Sequence, residues 1–262
     1  PDTKSLTPEG VTRTSDAKYI MENSLNSSNY LAHALANTIP SVLHNKIHRG
    51  SCHTCETAAS LMLHFKPNYY HWFVECVPRL RGVRAFEKLN SCEVELLIPP
   101  NPPSWMEKSL KMMNHWGQCI EHHSNVKVNR MIIPQSAKSG PYIRSSQVQW
   151  VKQQLMSNIT LNSDLDYPSY IYISREDSSK KTRRVLNRQE LLRKLPHVFE
   201  SYKLEQMSLE EQIKLFSGAD VVVAPHGAGL ANIMWGDSIE ILELWGEKRV
   251  NDCYWQLASS LG

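Results

Sequence analysis

The sequence predicts an α/β protein whose second half is a Rossmann-like domain, and three observations carry that prediction. Short β-rich runs at residues 170–173, 198–204, 220–224 and 239–244 alternate with helical patterns. The segments between them are long enough for crossover connections, which makes the sheet parallel. The third observation is the stretch GADVVVAPHGAGLANIMW at 218–235, where an apolar strand runs straight into Pro225-His226-Gly227-Ala228-Gly229. Ligands of open parallel sheets sit where strands give way to such turns.

The elements follow in order. In the first half, 58–63 is apolar-rich, 94–98 reads as a strand, and Pro99-Pro100-Asn101-Pro102-Pro103 stops it. A helix is expected over 104–113 after proline, and a strand over 126–133. Val148, Val151 and Leu155 share one face of a helix over 146–155. Strand 170–173 ends in Ser174-Arg175. Asn187 suits the N-cap of a helix over 188–195, which Pro196 follows. Ser208 and Glu211 have the spacing of a capping box opening a helix over 209–217. A short helix is expected after Gly229. The halves divide near 139–146, into residues 1–140, an α/β domain, and 141–262. A further strand and helix would be expected after 255–262, so the second domain reads as truncated. The start at Pro1 reads as that of a fragment or processed chain.

The 262 residues are 41% hydrophobic and 21% charged, ordinary globular values with ample chain for a core. Net charge is +3 and the pI about 8.5. The basic residues are scattered except for Lys180-Lys181-Thr182-Arg183-Arg184, so a local anion site is expected rather than a nucleic-acid surface. No apolar run is long enough for a membrane-spanning helix, and no repeat suggests a solenoid. The six cysteines are too spread for a disulfide scaffold. Cys52-His53-Thr54-Cys55 has the form of half a zinc site, to which Cys119 with His115, His122 or His123 would have to add; no second CxxC exists, and ordinary thiols are expected. Asn26-Ser27-Ser28 and Asn158-Ile159-Thr160 are formal glycosylation sequons, a pattern that arises easily by chance.

Three polar clusters fall at expected strand ends: Ser174-Arg175, the PHGAG turn, and Glu243. The Gly227-Ala228-Gly229 step leaves backbone N–H groups open at a helix start, which suits a phosphate, although glycine there equally suits a tight packing turn. It is neither a Walker loop nor GxGxxG, since Asn232 occupies the third glycine position. Its place at a strand end favours the phosphate. Arg175, Arg183 and Arg184 would add forked cations, and Glu243 would accept from ribose hydroxyls. In the first half, NYYHWFVECVPRL places His71 and Glu75 four apart on a helix, a pairing that suits an oriented general base or a hydrogen-bonded core histidine. Neither GxSxG nor HExxH is present.

Four ordered blocks, NYYHWFVECVPRL, YISREDSSKKTRRVLN, FSGADVVVAPHGAGLANIMW with IEILELW, and DCYWQLASSLG, together resemble glycosyltransferase family 61. Bacterial members of that family look like capsular polysaccharide biosynthesis enzymes. Eukaryotic members include protein O-GlcNAc transferases and plant xylosyl- and arabinosyltransferases. The resemblance implies a GT-B architecture, two Rossmann-like domains facing across a cleft, and an inverting EC 2.4 reaction. It implies a nucleotide-sugar donor, a UDP-sugar, and a glycan or glycoconjugate acceptor. Ser174, Arg175, Arg184, His226, Gly227, Ala228, Gly229 and Asn232 would hold the diphosphate and Glu243 the ribose. His71 would be the base and Glu75 its orienting partner. Some relatives carry an acidic residue where this chain has Trp72, which leaves His71 and Glu75 both open as base. No obligatory metal is expected, because Asp164-Leu165-Asp166 reads as a surface turn outside the matched blocks. Peripheral association with the cytosolic face of a membrane is the expected setting, with a Golgi or ER lumen as the alternative. A non-catalytic nucleotide- or glycan-binding module of the same fold is the competing functional reading.

Overall fold

The structure is a computed structural model that describes residues 53–62, 67–121, 126–135, 137–139, 142–159, 167–176, 183–246 and 251–262, with the backbone of three short strands nearer the N-terminus. It divides into two compact units, Pro1–Val151 and Lys152–Gly262.

The first unit opens with β1 (Lys4–Leu6), β2 (Thr12–Arg13) and β3 (Tyr19–Ile20). It continues with β4 (His53–Ser60), a helical turn α1 (Tyr69–His71), α2 (Arg79–Asn90), β5 (Glu95–Ile98) and α3 (Ser104–Met112). After β6 (Cys119–Glu121) and β7 (Val126–Ile132) come the hairpin β8 (Lys138–Ser139) and β9 (Tyr142–Ile143), then α4 (Ser145–Met156), within which the units divide. Among the described residues the sheet order is β3-β2-β1-β7-β4-β5-β6. Strands β7, β4, β5 and β6 run parallel, and β1 lies antiparallel to β7.

The sequence HTCETAAS gives β4 no strong strand signal, yet it is the central parallel strand. Its second half is buried on both faces, with Ala58, Ala59 and Ser60 each at 0% exposure, as a strand covered on both sides must be. Small side chains fit there because α2 packs closely, its Arg79 guanidinium donating to the Ser60 and Met62 carbonyls at 3.0 and 3.4 Å.

A polar network ties α2 to the segment after α3. Arg84 Nε donates to His115 Nε2 at 2.8 Å, His115 Nδ1 meets Gln118 Oε1 at 2.6 Å, and Gln118 Nε2 donates to Glu87 at 2.7 Å. Only neutral imidazole, with its proton on Nδ1, satisfies both of its bonds. Burial first of all holds the His115 pKa below its ordinary value. The unfolded chain therefore binds a proton that the folded one refuses, so this contribution is complete above pH ~6.5 and is lost as pH falls through the lowered folded value. Urea midpoints at pH 7.5 and 5.5 are expected to differ more for the wild type than for His115→Gln. An equal pH dependence in the two proteins would refute the assignment.

The second unit contains β10 (Tyr170–Ile173), α5 (Arg188–Lys194), β11 (Glu200–Tyr202), α6 (Leu209–Ser217), β12 (Val221–Pro225), β13 (Glu240–Leu244) and α7 (Cys253–Leu261). Its strands are all parallel in the order β11-β10-β12-β13. The expected capping box forms, with Ser208 N donating to Glu211 at 2.6 Å and Glu211 N to Ser208 Oγ at 3.2 Å. It starts α6, which buries Leu209, Ile213, Leu215 and Phe216. Two expectations are corrected in detail. The strand expected over 198–204 is confined to β11, because Leu204 turns into a 3-10 segment, Leu204–Gln206, and is buried there. The short helix expected after Gly229 is a 3-10 turn, Ala228–Trp235.

The molecule is thus α/β, with two sets of four parallel strands among the described residues. No helix among those residues is long and apolar enough to cross a membrane.

Candidate functional site

Strand order decides where each sheet opens to a ligand. In the second unit the chain steps from β10 outward to β11, then returns past β10 to β12, so the crossovers diverge between β10 and β12. That switch point, at the carboxyl ends, is the crevice of a doubly wound sheet. Ser174-Arg175 leaves β10 there and His226-Gly227 leaves β12.

The backbone is held tightly at this point. Ser174 N donates to the Tyr202 carbonyl at 2.8 Å, and His226 N donates to the Leu244 carbonyl at 3.0 Å, each prolonging the strand pairing. Arg175 reaches across with Nη1 donating to the His226 carbonyl at 3.0 Å. Its Nε is buried with no hydrogen-bond partner among the described residues. A guanidinium with a vacant N–H is ready for an anion oxygen. Burial first, then the neighbouring Arg183 charge, lowers the Arg175 pKa from its ordinary value.

His226 is 8% exposed, and its Nδ1 lies 2.5 Å from Glu243 Oε1. The pairing is possible because β12 and β13 are in register with Ala224 opposite Glu243. The imidazole ring also lies 4.1 Å from the Trp245 ring and 5.2 Å from that of Tyr254. Burial pushes the Glu243 carboxyl up to about 7, while burial and then Arg183 and Arg175 push His226 down to about 4. Both shifts favour uncharged partners, so the pair is better described as sharing one proton than as an ion pair.

The glycines answer both readings of the PHGAG turn. A Cβ on Gly227 would collide with the Arg175 guanidinium, and one on Gly229 would come within 2.7 Å of Leu204 Cδ1. A side chain at either position would push Arg175 or Leu204 aside, and what glycine makes room for at Gly227 is the Arg175 guanidinium. Ala228 starts the 3-10 turn. Asn232 works from inside that turn. It is fully buried, donates to Gln212 Oε1 and the Gly229 carbonyl at 3.0 and 2.9 Å, and accepts from Trp235 Nε1 at 2.8 Å. Ser174 is likewise buried, its Oγ accepting from Glu176 N at 3.4 Å. Of the two adjacent arginines, Arg183 is the one whose charge bears on His226 and Arg175. It takes a left-handed φ of 68°, and both it and Arg184 are exposed.

In the first unit the parallel crossovers diverge between β4 and β7. The turn α1 follows β4, capped by Asn68, whose Oδ1 accepts from His71 N at 3.3 Å. It continues as a π-helical turn, Trp72–Cys76, closed by Val77 N donating to the Trp72 carbonyl at 2.8 Å. Single π turns recur at functional sites because they re-aim side chains. His71 Nδ1 lies 3.1 Å from Glu75 Oε1, and Lys138 Nζ, after β7, lies 4.0 Å from the same oxygen. The His71 side chain is 31% exposed and the Glu75 side chain 0%. Trp72 is 1% exposed and donates to Ser109 Oγ at 2.9 Å, so this position serves the core.

A family model described as Glycosyltransferase 61 matches residues 69–239, well over half of the chain. The chain belongs to glycosyltransferase family 61. No curated protein matches it. The matched segment runs from α1, through both switch points, to the start of β13, and so includes His71, Glu75, Arg175 and His226. Glu243, Trp245 and Tyr254 lie beyond it; Glu243 was already a candidate from its place at a strand end, and the structure adds the rings of Trp245 and Tyr254 beside His226.

Sequence reasoning missed Trp245, Tyr254 and Lys138. Trp245 directly follows an expected strand, and Tyr254 lies in the block DCYWQLASSLG; those were the available signals. Nothing local marks Lys138. Residues 164–166, 180–182, Cys52, His122 and His123 lie outside the described residues, as do both sequons in part or whole. Cys55 is fully buried in a cluster with Ala58, Leu97 and Val128. His53, Cys55 and Glu95 each bring a ligand atom within 4.8 Å of one another, a three-donor set that the chemistry below does not use.

Proposed function

We propose that this family 61 glycosyltransferase moves a sugar, with inversion, from a UDP-sugar donor to a hydroxyl of a glycan or glycan-bearing acceptor. The division of labour is that of GT-B enzymes, the second unit binding the donor and the first supplying the base. The observation that carries this reading is the convergence of the Arg175 guanidinium, the His226–Glu243 pair and the glycine step at one switch point. Diphosphate is the ligand class that a fixed guanidinium and the backbone N–H groups of a turn start recognise together.

In the reaction, His71 takes the proton of the acceptor hydroxyl as its oxygen bonds to the anomeric carbon, and Glu75 stabilises the imidazolium that forms. The bond from that carbon to the diphosphate oxygen breaks on the opposite side. The charge released onto the diphosphate is met by Arg175 and His226, which are held by hydrogen bonds before the reaction begins, and by the Arg183 charge beside them. The scheme calls on no bound metal.

Calorimetry is expected to show UDP binding in the low- to middle-micromolar range, about −7 kcal/mol. Arg175→Ala is expected to weaken it by roughly 10- to 100-fold, the value of one lost charge-assisted contact. Undiminished binding in that variant would remove the donor site from this position.

A further inference from the structure

The hydrogen bond between His226 and Glu243 limits where protons can be. Nδ1 and Oε1 are 2.5 Å apart, so one proton must lie between them. If the pair holds only that proton, it is a carboxylate accepting from Nδ1–H, and Nε2 is a bare lone pair. If the pair holds two, the second sits on Nε2, whether the shared proton is drawn on the imidazole or on the carboxyl. Among the described residues no hydrogen bond engages Nε2. A diphosphate ionised as it is above pH ~7 presents only acceptor oxygens to it, and two acceptors cannot share a hydrogen bond without a proton.

We propose that Glu243 is a positioning residue for His226, and that a nucleoside diphosphate binds at His226 Nε2 together with one proton taken up by the His226–Glu243 pair. This rests on the donor-site reading above and assigns Glu243 to the histidine rather than to the ribose. The same proton places a donor against the diphosphate when the glycosidic bond to it breaks.

The surroundings set the pH at which uptake is visible. Facing the pair are Arg175 after β10, Arg183 before α5, Tyr254 on α7 and, beside Arg175, Glu205 after β11. The arginines keep one charge throughout, so the free pair is the group that changes state near neutrality. With the Glu243 carboxyl raised to about 7, the free pair holds two protons at pH 6 and one at pH 8. Uptake is therefore expected to approach one proton per UDP at pH 8 and to fall as the pH drops through neutrality. By linkage, UDP affinity falls about tenfold per pH unit above neutrality.

The test is calorimetry of UDP binding at pH 8 in buffers of different ionisation enthalpy, with Kd followed from pH 7 to 8.5, above the range in which the terminal phosphate of UDP titrates. Glu243→Gln separates this role from a structural one. The glutamine amide can donate to Nδ1, which puts the proton on Nε2 without uptake, so this variant is expected to bind UDP with no proton exchange and a flat pH profile. Wild-type binding at pH 8 without uptake would overturn the inference, as would full uptake retained in Glu243→Gln. Failure of the wild type to bind UDP at any pH would instead overturn the donor-site reading itself.

Discussion

Replacing His71 by alanine is expected to lower the transfer rate by roughly 10²- to 10⁴-fold, the range over which a positioned acid–base group contributes, with UDP affinity unchanged. The carboxylate–histidine pairs His71–Glu75 and His226–Glu243 differ in accessibility. Glu75 is at 0% exposure with Lys138 and His71 against it, so in the proposed reaction an acceptor hydroxyl would meet the imidazole, which is 31% exposed, and not the carboxylate. Glu75 would then act through His71, fixing the proton on Nδ1 so that Nε2 is the basic nitrogen. The measurement is kcat alongside a calorimetric Kd for UDP on one preparation. A variant that transfers at the wild-type rate would exclude His71 as the base. A larger loss in Glu75→Gln than in His71→Ala would transfer that role to the carboxylate.

Trp235→Ala is expected to destabilise the fold by about 3–5 kcal/mol, the cost of emptying a fully buried large aromatic site. Trp235 is 0% exposed and its Nε1 donates to Asn232 Oδ1 at 2.8 Å. The substitution therefore opens a cavity and also removes the Trp235–Asn232 hydrogen bond from a dry interior, which adds to the cost. Asn232 holds the Gly229 carbonyl, so the loosened turn is the one carrying the glycine step beside Arg175. Urea unfolding followed by tryptophan fluorescence and circular dichroism gives the stability change. A loss below about 1 kcal/mol, the value of an ordinary substitution, would show that the turn is held by other contacts.

The second unit was the more legible of the two, for reasons visible in particular residues. Tyr170 to Ile173 and Val221 to Ala224 are β-branched or aromatic runs long enough for a strand and too short for a helix, and each is bounded by turn residues. Ser208 and Glu211 announce α6 by chemistry confined to four neighbouring residues. The first unit hides its central strand because HTCETAAS is small and polar in composition, and becomes core only when β5 and β7 flank it.

His71 and Glu75 were readable as a pair because four residues along a helical turn is a local distance, and the π turn keeps them within 3.1 Å. The sequence by itself determined this pair, the order of strands and helices in the second half, and the placement of Arg175 and the PHGAG turn at strand ends. Each of these depends on spacing along the chain. Only the tertiary structure decided that Glu243 is hydrogen-bonded to His226, that Asn232 braces the turn from within, and that the Arg183 charge bears on His226 and Arg175. Those facts depend on the register of β12 with β13 and on burial, which join residues far apart in the chain and leave no periodic trace in it.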